Sequence, residues 1–348
     1  MEFKKYLLSE ISDYKTGRLN SNAAIENGKY KFFTCAPNPL TINSYSYDDD
    51  VILLAGNNAN GIFHINRFNG KFDAYQRTYI IKPKFDVIDI DYLYYYLKFK
   101  LNFLRSQSIG SATKYLTKPI LDNLEIYSPK SKRKETIISS ILKILDKKIE
   151  LNKRIIANLE ELSQTLFKRW FVDFEFPDEN GNPYKSSGGE MIDSELGEIP
   201  SGWKVDELGN YIKIKSGKRP KNKVDKKDIE NVVPIIGASK IMGYTNDYLY
   251  NEKIIIIGRV GTHGVIQRFS TRTWPSDNTF VIISDFESII YQVLKSIDYI
   301  SLNRGSTQPL LSQKDIKNTK VAMPTNETLL STYQKENNHI LKMMDQKI

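Results

Sequence analysis

The chain has 348 residues, 40% of them hydrophobic, which is enough for about two folded domains with apolar cores and excludes a disordered chain. Its net charge of +9 favours a polyanionic partner without identifying one. A single cysteine, Cys35, excludes an internal disulfide, and with only three histidines argues against a structural zinc site. We expect a cytoplasmic protein with no membrane-spanning segment.

The first 130 residues are predicted to form a mixed α/β domain. Short segments rich in Ile, Val, Tyr and Phe alternate with Gly, Asn and Asp turns, which is typical of strands. The apolar stretch Val51–Ala55 is a clear strand. A helix is predicted over Asp91–Leu104, followed by a Gly-Ser turn at Gly110 and a closing strand at Leu124–Pro129.

Residues 131–174 are predicted to form one long central helix that acts as a spacer. Apolar residues recur at alternating steps of four and three, which is a heptad seam, and no Gly or Pro interrupts it up to Trp170. About 38 helical residues would extend for roughly 57 Å. For a single helix the simpler alternative is an ordinary core helix. The predicted helix-pairing seam comprises Ile138, Leu142, Leu145, Ile149, Asn152, Ile156, Leu159 and Leu166.

The second half of the chain repeats this order. Residues 175–202 are rich in Gly, Pro and Ser and are predicted to be a linker. A second domain is predicted over 203–325, followed by a shorter distal helix over 326–348. In that helix Leu341, Met344 and Ile348 continue the seam, each 199 residues after its counterpart in the central helix.

Several further segments recur in the same order, which predicts an internal duplication. Gly110 and Gly305 are 195 residues apart, as are Pro129 and Pro324, and Gly17 matches Gly217. Two related helices that each follow a related domain can pair antiparallel, with a pseudo-two-fold axis between the halves. Because the distal helix is the shorter, pairing is expected to cover only part of the central helix.

A protein with two related heads fits two separated DNA half-sites, since successive major-groove faces lie about 34 Å apart. Arg suits guanine and Asn suits adenine, although residue types alone do not separate base contacts from phosphate contacts. For the basic loop near Lys218 a solvated surface is an equal alternative, and a loop histidine such as His263 is more often structural. The candidate DNA-binding residues are Arg18, Asn57, Asn58, Asn60, Arg67, Arg77, Lys114, Lys218, Arg219, Lys221, Arg259, Thr262, His263, Arg268, Arg272, Arg304 and Gln308.

Catalytic motifs are not recognisable in the sequence. Gly181–Tyr184 lacks the second proline of an adenine-methyltransferase motif, and Gly258–Gly264 lacks the lysine and hydroxyl residue of a phosphate-binding loop. The acidic and lysine residues at Asp225–Lys227 lie in a basic loop and do not suggest a nuclease. We therefore expect no catalytic residue, cofactor site or metal site in this chain.

Four strings carry a family resemblance: Leu145–Asn152, Leu166–Phe174, Ser194–Trp203 and Gly305–Gln308. Together they resemble the specificity subunits of type I restriction–modification enzymes, across essentially the whole chain. The resemblance implies two target-recognition domains spaced by an antiparallel coiled-coil pair of helices. It also implies an asymmetric bipartite target in double-stranded DNA.

The resemblance implies protein partners as well. Two methylation (M) subunits would bring S-adenosylmethionine, and two restriction (R) subunits would bring ATP and Mg, so that methylation and restriction are directed by this chain but catalysed elsewhere. Two alternatives stay open at this point. One is a stand-alone DNA methyltransferase or nuclease, and the other is a coiled-coil scaffold that does not bind DNA.

Overall fold

The computed structural model describes residues 2–59, 61–84, 86–260, 264–302 and 310–346. The chain divides into two compact units, Met1–Glu150 (unit 1) and Leu151–Ile348 (unit 2), and each is described by itself. Within these described ranges, no helix combines the length and the apolar character needed to cross a membrane.

The described residues of unit 1 form ten strands and the first four α-helices. The strands are β1 (Phe3–Leu7), β2 (Ser12–Thr16), β3 (Tyr30–Phe33), β4 (Leu40–Ile42), β5 (Tyr47–Ala55), β6 (Asn57–Asn58), β7 (Ile65–Ala74), β8 (Thr78–Pro83), β9 (Lys114–Tyr115) and β10 (Glu125–Pro129). The helices are α1 (Leu8–Ile11), α2 (Ile90–Gln107), α3 (Lys118–Asp122) and α4 (Lys132–Phe171), the last of which continues into unit 2.

The core of unit 1 lies on both faces of a six-stranded sheet with the order β2-β8-β5-β7-β3-β4. Neighbouring strands are antiparallel except β3 and β7, which are parallel. Strand β5 is buried along Val51–Ala55 because both of its faces are covered. Ile52 and Leu54 join the apolar cluster that includes α2, whereas Leu53 joins a second cluster on the opposite face, as the alternation of a strand requires.

The beginning and end of the first domain are held together beside α4. Strands β1 and β10 pair antiparallel, with Phe3 opposite Pro129. Glu135, in the first turn of α4, accepts hydrogen bonds from the Asp89 amide at 2.9 Å and from the Ser128 hydroxyl, and it is only 2% exposed. A buried carboxylate needs such donors, so this residue fixes the start of α4 against α2 and β10.

In the part of unit 2 that the structure describes there are eleven strands and three further α-helices, in addition to the second part of α4. The strands are β11 (Met191–Ile192), β12 (Ile199–Pro200), β13 (Trp203–Glu207), β14 (Lys213–Ser216), β15 (Val233–Ile236), β16 (Ile241–Thr245), β17 (Ile254–Gly258), β18 (Ile266–Phe269), β19 (Trp274–Pro275), β20 (Thr279–Ile283) and β21 (Lys320–Pro324). The helices are α5 (Glu287–Ser296), α6 (Gln313–Asn318) and α7 (Glu327–Asp345).

Unit 2, like unit 1, is built on β-sheets. A four-stranded sheet has the order β14-β20-β17-β18, and a three-stranded sheet has the order β16-β15-β19. Strands β13 and β21 pair antiparallel, with Trp203 opposite Pro324, just before α7 begins. The segment β17 is buried at every position, so it forms the centre of the apolar core.

Helix α7 packs against the second part of α4. The Ser163 hydroxyl donates to Asn337 Oδ1 at 2.7 Å, and the rings of Trp170 and Tyr333 lie 5.5 Å apart. As the residue number rises along α4 it falls along α7, so the two helices are antiparallel over this stretch. Gln292 of α5 donates to Ser163 Oγ at 2.6 Å, which leaves this buried hydroxyl fully partnered.

The segment predicted to be a linker, residues 175–202, packs onto the core of unit 2. Phe176 stacks on Trp203 with ring centres 5.5 Å apart, and Ile199 is buried in the same cluster. The turns between these anchors use Gly181, Gly188 and Gly197 with positive φ. The Gly, Pro and Ser content of this segment predicted that it has no long helix or strand. It did not predict the aromatic contacts that hold the segment on the core.

Tyr333 offers a test of the α4–α7 contact. It is fully buried among aromatic rings, burial raises the pKa of its hydroxyl, and that hydroxyl has no hydrogen-bond partner among the described residues. An unpaired buried hydroxyl destabilises the fold. We expect Tyr333→Phe to raise the free energy of unfolding by about 1 kcal/mol, as measured by urea denaturation.

The matched control is Tyr291→Phe, because the Tyr291 hydroxyl contacts Glu160 at 3.3 Å. This variant should lose about 1 kcal/mol, whereas Tyr333→Ala should lose about 3–5 kcal/mol through the cavity it creates. Equal losses in the two Phe variants would contradict the assignment of an unpaired hydroxyl at Tyr333.

Candidate nucleic-acid interface

Four of the candidate DNA-binding residues of unit 1 meet at one short sheet. Asn58 lies opposite Lys114 in the pairing of β6 with β9, and Asn57 lies opposite Tyr115. The guanidinium of Arg77 lies 5.2 Å above the ring of Tyr115. Amide and cationic side chains are thus gathered around the β6–β9 pair.

The turn that carries Lys114 depends on Gly110. Its φ of +102° favours glycine, and a Cβ atom there would collide with the carbonyl oxygen of Thr113. The turn is closed by reciprocal backbone hydrogen bonds between Ile109 and Tyr115, of 3.1 and 2.8 Å. The Gly-Ser turn predicted from the sequence therefore positions β9 beside β6.

Arg105 belongs to the same surface but was not among the predicted residues. It lines a polar cavity of about 540 Å³ together with Lys114, Ser108 and Ser111. Two cations and three serine side chains, those of Ser106, Ser108 and Ser111, around an open cavity suit an anionic group such as a phosphate. The signal in the sequence that could have identified Arg105 is its position near the end of the predicted helix, because Arg105 lies in the last turn of α2, three residues before the C-cap Ser108.

Arg18 lies on a loop held against the turn at Tyr75–Arg77. Its amide donates to the Ala74 carbonyl at 3.2 Å, and Gln76 donates to Asn20 at 3.0 Å. Gly17 is needed for this approach, because a Cβ atom would collide with the Ala74 carbonyl oxygen. The exposed side chain of Arg18 therefore extends from a fixed backbone.

The corresponding loop of unit 2 carries Lys218, Arg219 and Lys221, all exposed. The Lys218 amide donates to the Pro275 carbonyl at 3.0 Å, and Trp274 Nε1 donates to the Lys218 carbonyl at 2.8 Å. As at Gly17, a Cβ atom at Gly217 would collide with a carbonyl oxygen, here that of Ser276. The two loops are anchored in the same manner.

Two further candidate arginines of unit 2, Arg259 and Arg272, lie against aromatic rings. Arg259 is half-buried, with its guanidinium 5.6 Å from the ring centre of Phe280, and Arg272 is exposed at 4.9 Å from that of Tyr248. The buried Nε of Arg259 has no hydrogen-bond partner among the described residues. Stacked guanidinium groups keep their outward N–H groups available for a ligand.

Arg67 and Arg268 lie in different surroundings from the other candidates. Arg67 forms ion pairs with Asp50 and, at 3.1 Å, with Asp91. Arg268 forms ion pairs with Glu287 at 3.2 Å and Asp345 at 2.6 Å, and its side chain is only 7% exposed. These contacts satisfy the two guanidinium groups inside the protein, so we leave both residues out of the DNA-facing set.

Five candidates fall outside the described residues: Asn60, Thr262, His263, Arg304 and Gln308. The seam residue Ile348 does as well. Of the other seam residues, Ile156, Leu159 and Leu166 pack on the core cluster of unit 2 that contains Leu341 and Met344. Asn152 is half-buried, as are Ile138 and Leu142, whereas Leu145 and Ile149 are 50% and 53% exposed.

Comparison with known proteins identifies the family. A family model described as type I restriction modification DNA specificity domain matches residues 1–161 and 200–348. The chain belongs to this family. The match covers both globular regions and the first part of α4, so it accounts for the mixed α/β fold with two tandem domains.

Individual relatives carry the same description. The chain is 34% identical over 218 residues to the EcoDI specificity subunit of Escherichia coli, which covers 58% of this chain and 47% of that protein. It is 29% identical over 275 residues to the MjaIX specificity subunit of Methanocaldococcus jannaschii, covering 70% of this chain and 60% of that protein. The matches therefore span about half the length of these relatives.

A solved structure resembles the fold over nearly its whole length. The S subunit of the type I restriction–modification system from M. genitalium superimposes with a TM-score of 0.69, covering 99% of this chain and 91% of that chain. The sequence identity is 16%, so the likeness concerns the fold alone.

The ion pairs of Arg268 predict a structural phenotype for its removal. Glu287 is 9% exposed and would keep a poorly solvated charge. We expect Arg268→Met to lower the free energy of unfolding by about 3–5 kcal/mol, measured by urea denaturation. Arg272→Met is the control, because an exposed arginine should cost less than about 0.5 kcal/mol.

The double variant Arg268→Met/Glu287→Gln distinguishes ion pairing from lost packing. It should be more stable than Arg268→Met alone, since it removes a poorly solvated carboxylate whose remaining ion-pair partner is Lys253 at 3.9 Å. If the double variant is less stable by the sum of both single losses, the buried ion pair is not the reason for the effect.

Proposed function

We propose that this chain is the DNA sequence-recognition (specificity) subunit of a type I restriction–modification complex. It binds an asymmetric, bipartite site in double-stranded DNA and directs methylation and restriction that partner subunits catalyse. The single observation that supports this most strongly is the presence in each unit of exposed basic residues on loops with matching backbone anchors. Family membership supports the same conclusion.

The two units are proposed to be an internal duplication with a pseudo-two-fold relation. Support comes from equivalent features that no single motif would produce. Gly17 and Gly217 make the same close approach to a carbonyl oxygen. The pairing of Asn58 with Lys114 in unit 1 has a counterpart in unit 2, the bridge between Val260 and Leu310. Likewise, the β1–β10 pair of unit 1 matches the β13–β21 pair of unit 2.

The two half-sites are proposed to differ in sequence. The side chains at the ends of the loops differ between the two units, whereas the backbone contacts at the bases of the loops correspond. Unit 1 presents Asn57, Asn58 and Lys114, whereas Arg259 lies near the Val260–Leu310 bridge in unit 2. Asn is suited to adenine and Arg to guanine in the major groove. Different residue types on related loops would therefore read different bases.

Helix α4 is proposed to be the spacer, paired with α7 as an antiparallel coiled coil. Its 40 residues extend for about 60 Å at 1.5 Å per residue. This length exceeds one turn of B-DNA, about 34 Å. A spacer of fixed length would set the number of unread base pairs between the two half-sites.

The chemistry is proposed to lie on partner subunits. Two methylation subunits would bind S-adenosylmethionine, and two restriction subunits would bind ATP and Mg. The chain itself would contribute no catalytic group. A purified chain that transferred methyl groups unaided would contradict this assignment and would favour a stand-alone methyltransferase.

The surface around Arg77 and Lys114 predicts a loss of DNA affinity that depends on salt. We expect the Arg77→Ala/Lys114→Ala variant to bind duplex DNA about tenfold less tightly at low salt. We also expect the slope of log K against log[salt] to fall by about one to two units, because phosphate contacts release counterions. Fluorescence anisotropy at several salt concentrations measures both.

Lys134→Ala is the matched control, since Lys134 is an exposed lysine of α4 and belongs to none of these loops. It should leave both the affinity and the slope unchanged. An unchanged slope in the double variant would mean that neither residue contacts the DNA backbone.

Exchange of one domain tests modular reading. Replacing residues 1–130 with the equivalent segment of another family member should change one half of the methylated sequence and leave the other half intact. Sequencing the methylome of cells that express the chimera with its M subunits gives the answer. A change in both halves would contradict independent recognition by the two domains.

A further inference from the structure

The short β6–β9 pair of unit 1 has two faces that carry different side chains. Residues directly opposite each other in an antiparallel pair project to the same face, and the next residues along each strand project to the other. Asn57 lies opposite Tyr115, and Asn58 lies opposite Lys114. Asn57 and Tyr115 therefore share one face, here called the Asn57 face. Asn58 and Lys114 share the other, here called the Lys114 face.

The Lys114 face is extended by a second cation from the end of α2. Arg105 is exposed and lines the same cavity of about 540 Å³ as Lys114. A Cβ atom placed on Gly61 would lie 3.0 Å from Lys114 Cγ and 3.3 Å from Arg105 Cγ, so the stems of the two side chains run close together. None of the described residues that line this cavity is acidic. Two adjacent cations suit DNA phosphates, which carry no sequence information.

On the Asn57 face, a thiol fixes the direction of the Asn57 amide. The Cys35 thiol donates to Asn57 Oδ1 at 2.9 Å and also approaches the Arg77 carbonyl oxygen at 3.6 Å. The guanidinium of Arg77 covers the ring of Tyr115 on this face. The two ends of a carboxamide are nearly equal in shape, so its hydrogen-bond partners decide which end is the oxygen. The S–H donor places the oxygen on its own side.

The backbone that carries this thiol is itself held in place. The Tyr75 amide donates to the Phe33 carbonyl at 2.9 Å, and the Gly56 amide donates to the Arg77 carbonyl at 2.7 Å. A Cβ atom at Gly56 would lie 2.5 Å from the same Arg77 carbonyl oxygen, so only glycine allows this approach. These contacts join the segments after β3, after β5 and before β8. The thiol therefore meets the amide from a constrained backbone.

A carboxamide with a fixed direction is a better reader of bases than a free one. An amide oxygen has two lone pairs, and the nitrogen has two hydrogens. The thiol of Cys35 uses one lone pair, and the other lone pair with one N–H forms an acceptor–donor pair of fixed order. Adenine N6 and N7 present the matching donor and acceptor. Without the thiol, rotation about χ2 gives Asn57 either order, because that torsion is broad and roughly two-fold.

On the basis of the proposed DNA recognition, we propose that the two faces of the β6–β9 pair divide the work of binding. Asn57 reads an adenine in the half-site of unit 1, and Cys35 is its positioning residue. Lys114 and Arg105 bind the DNA backbone. Cys35 does not contact the base and acts only through the Asn57 amide.

The test uses the full chain assembled with its M subunits and unmethylated duplexes that carry the sequence this complex methylates. Each base pair of the half-site is replaced in turn, and competition fluorescence anisotropy gives the base preference at every position. We expect Asn57→Ala to lower the preference for adenine at one position about tenfold, because a bidentate contact is lost. Asn180→Ala is the matched control, since it removes an exposed amide outside these loops, and it should change no preference.

Variants of Cys35 separate positioning from a merely structural role. Cys35→Ala should lower the preference at that same position about threefold and leave the other positions unchanged. Cys35→Ser should retain the preference, because a hydroxyl also donates a hydrogen bond. Added to Asn57→Ala, Cys35→Ala should have no further effect, since the two act as one unit. Thermal unfolding verifies that each variant keeps its fold.

The Lys114 face should give the opposite result. Arg105→Ala/Lys114→Ala is expected to weaken every duplex by the same factor, about tenfold at low salt, and to lower the slope of log K against log[salt] by about two units. The base preference at each position should stay as it is in the unmodified complex.

Three results would overturn the proposal. They are an adenine preference that survives Asn57→Ala at every position, a Cys35→Ala variant that weakens all duplexes equally, and a Cys35→Ser variant that behaves like Cys35→Ala. An unmodified complex that binds all duplexes equally would instead contradict the proposed DNA recognition, so the two failures are distinguishable.

Discussion

One ion-paired arginine in each unit joins the sheet to the helices, and the arrangement of each sheet against its helices depends on it. Arg268 leaves β18, reaches Glu287 at the start of α5 and continues to Asp345 near the end of α7. Arg67 leaves β7 and reaches Asp91 in the first turn of α2, which also binds Lys143 of α4 at 2.7 Å. A charge withdrawn from water must keep its partners, so these contacts allow few alternative arrangements. They set the orientation of each sheet against its own long helix, and the loops extend from that sheet.

The loops combine a constrained backbone with variable ends. Backbone hydrogen bonds and close glycine approaches hold them at their bases, as at Gly17 and Gly217, where any side chain would collide with a carbonyl oxygen. The side chains at the ends, such as Arg77 and Arg272, rest on aromatic rings and are exposed. Surface substitutions at such positions cost little stability. A scaffold of this kind lets the exposed side chains change while the fold persists.

Elements with strong periodicity were predictable from the sequence. The central helix was predicted over 131–174 and spans Lys132–Phe171, and the strand predicted at Val51–Ala55 is the buried part of β5. The candidate site was predictable only in part. Asn58, Arg77 and Lys114 meet on one surface, whereas Arg67 and Arg268, which are the same residue type as Arg77, are held in ion pairs. Arg105 joined the surface because the end of α2 lies beside the Gly-Ser turn, a proximity that sequence order does not express.

The sequence by itself determined the helix periodicity and the family, because each depends on local spacing or on residue strings. Tertiary structure decided which side of each element is covered and which charges are paired. Arg268 and Asp345 are 77 positions apart, and Ser163 and Asn337 are 174 apart, so no local pattern could join them. The helix-pairing seam of α4 also separates what the sequence determines from what the tertiary structure decides. Its heptad spacing is uniform along the sequence, yet the part in unit 2 is packed and Ile149 in unit 1 is exposed, because burial depends on whether another element lies opposite.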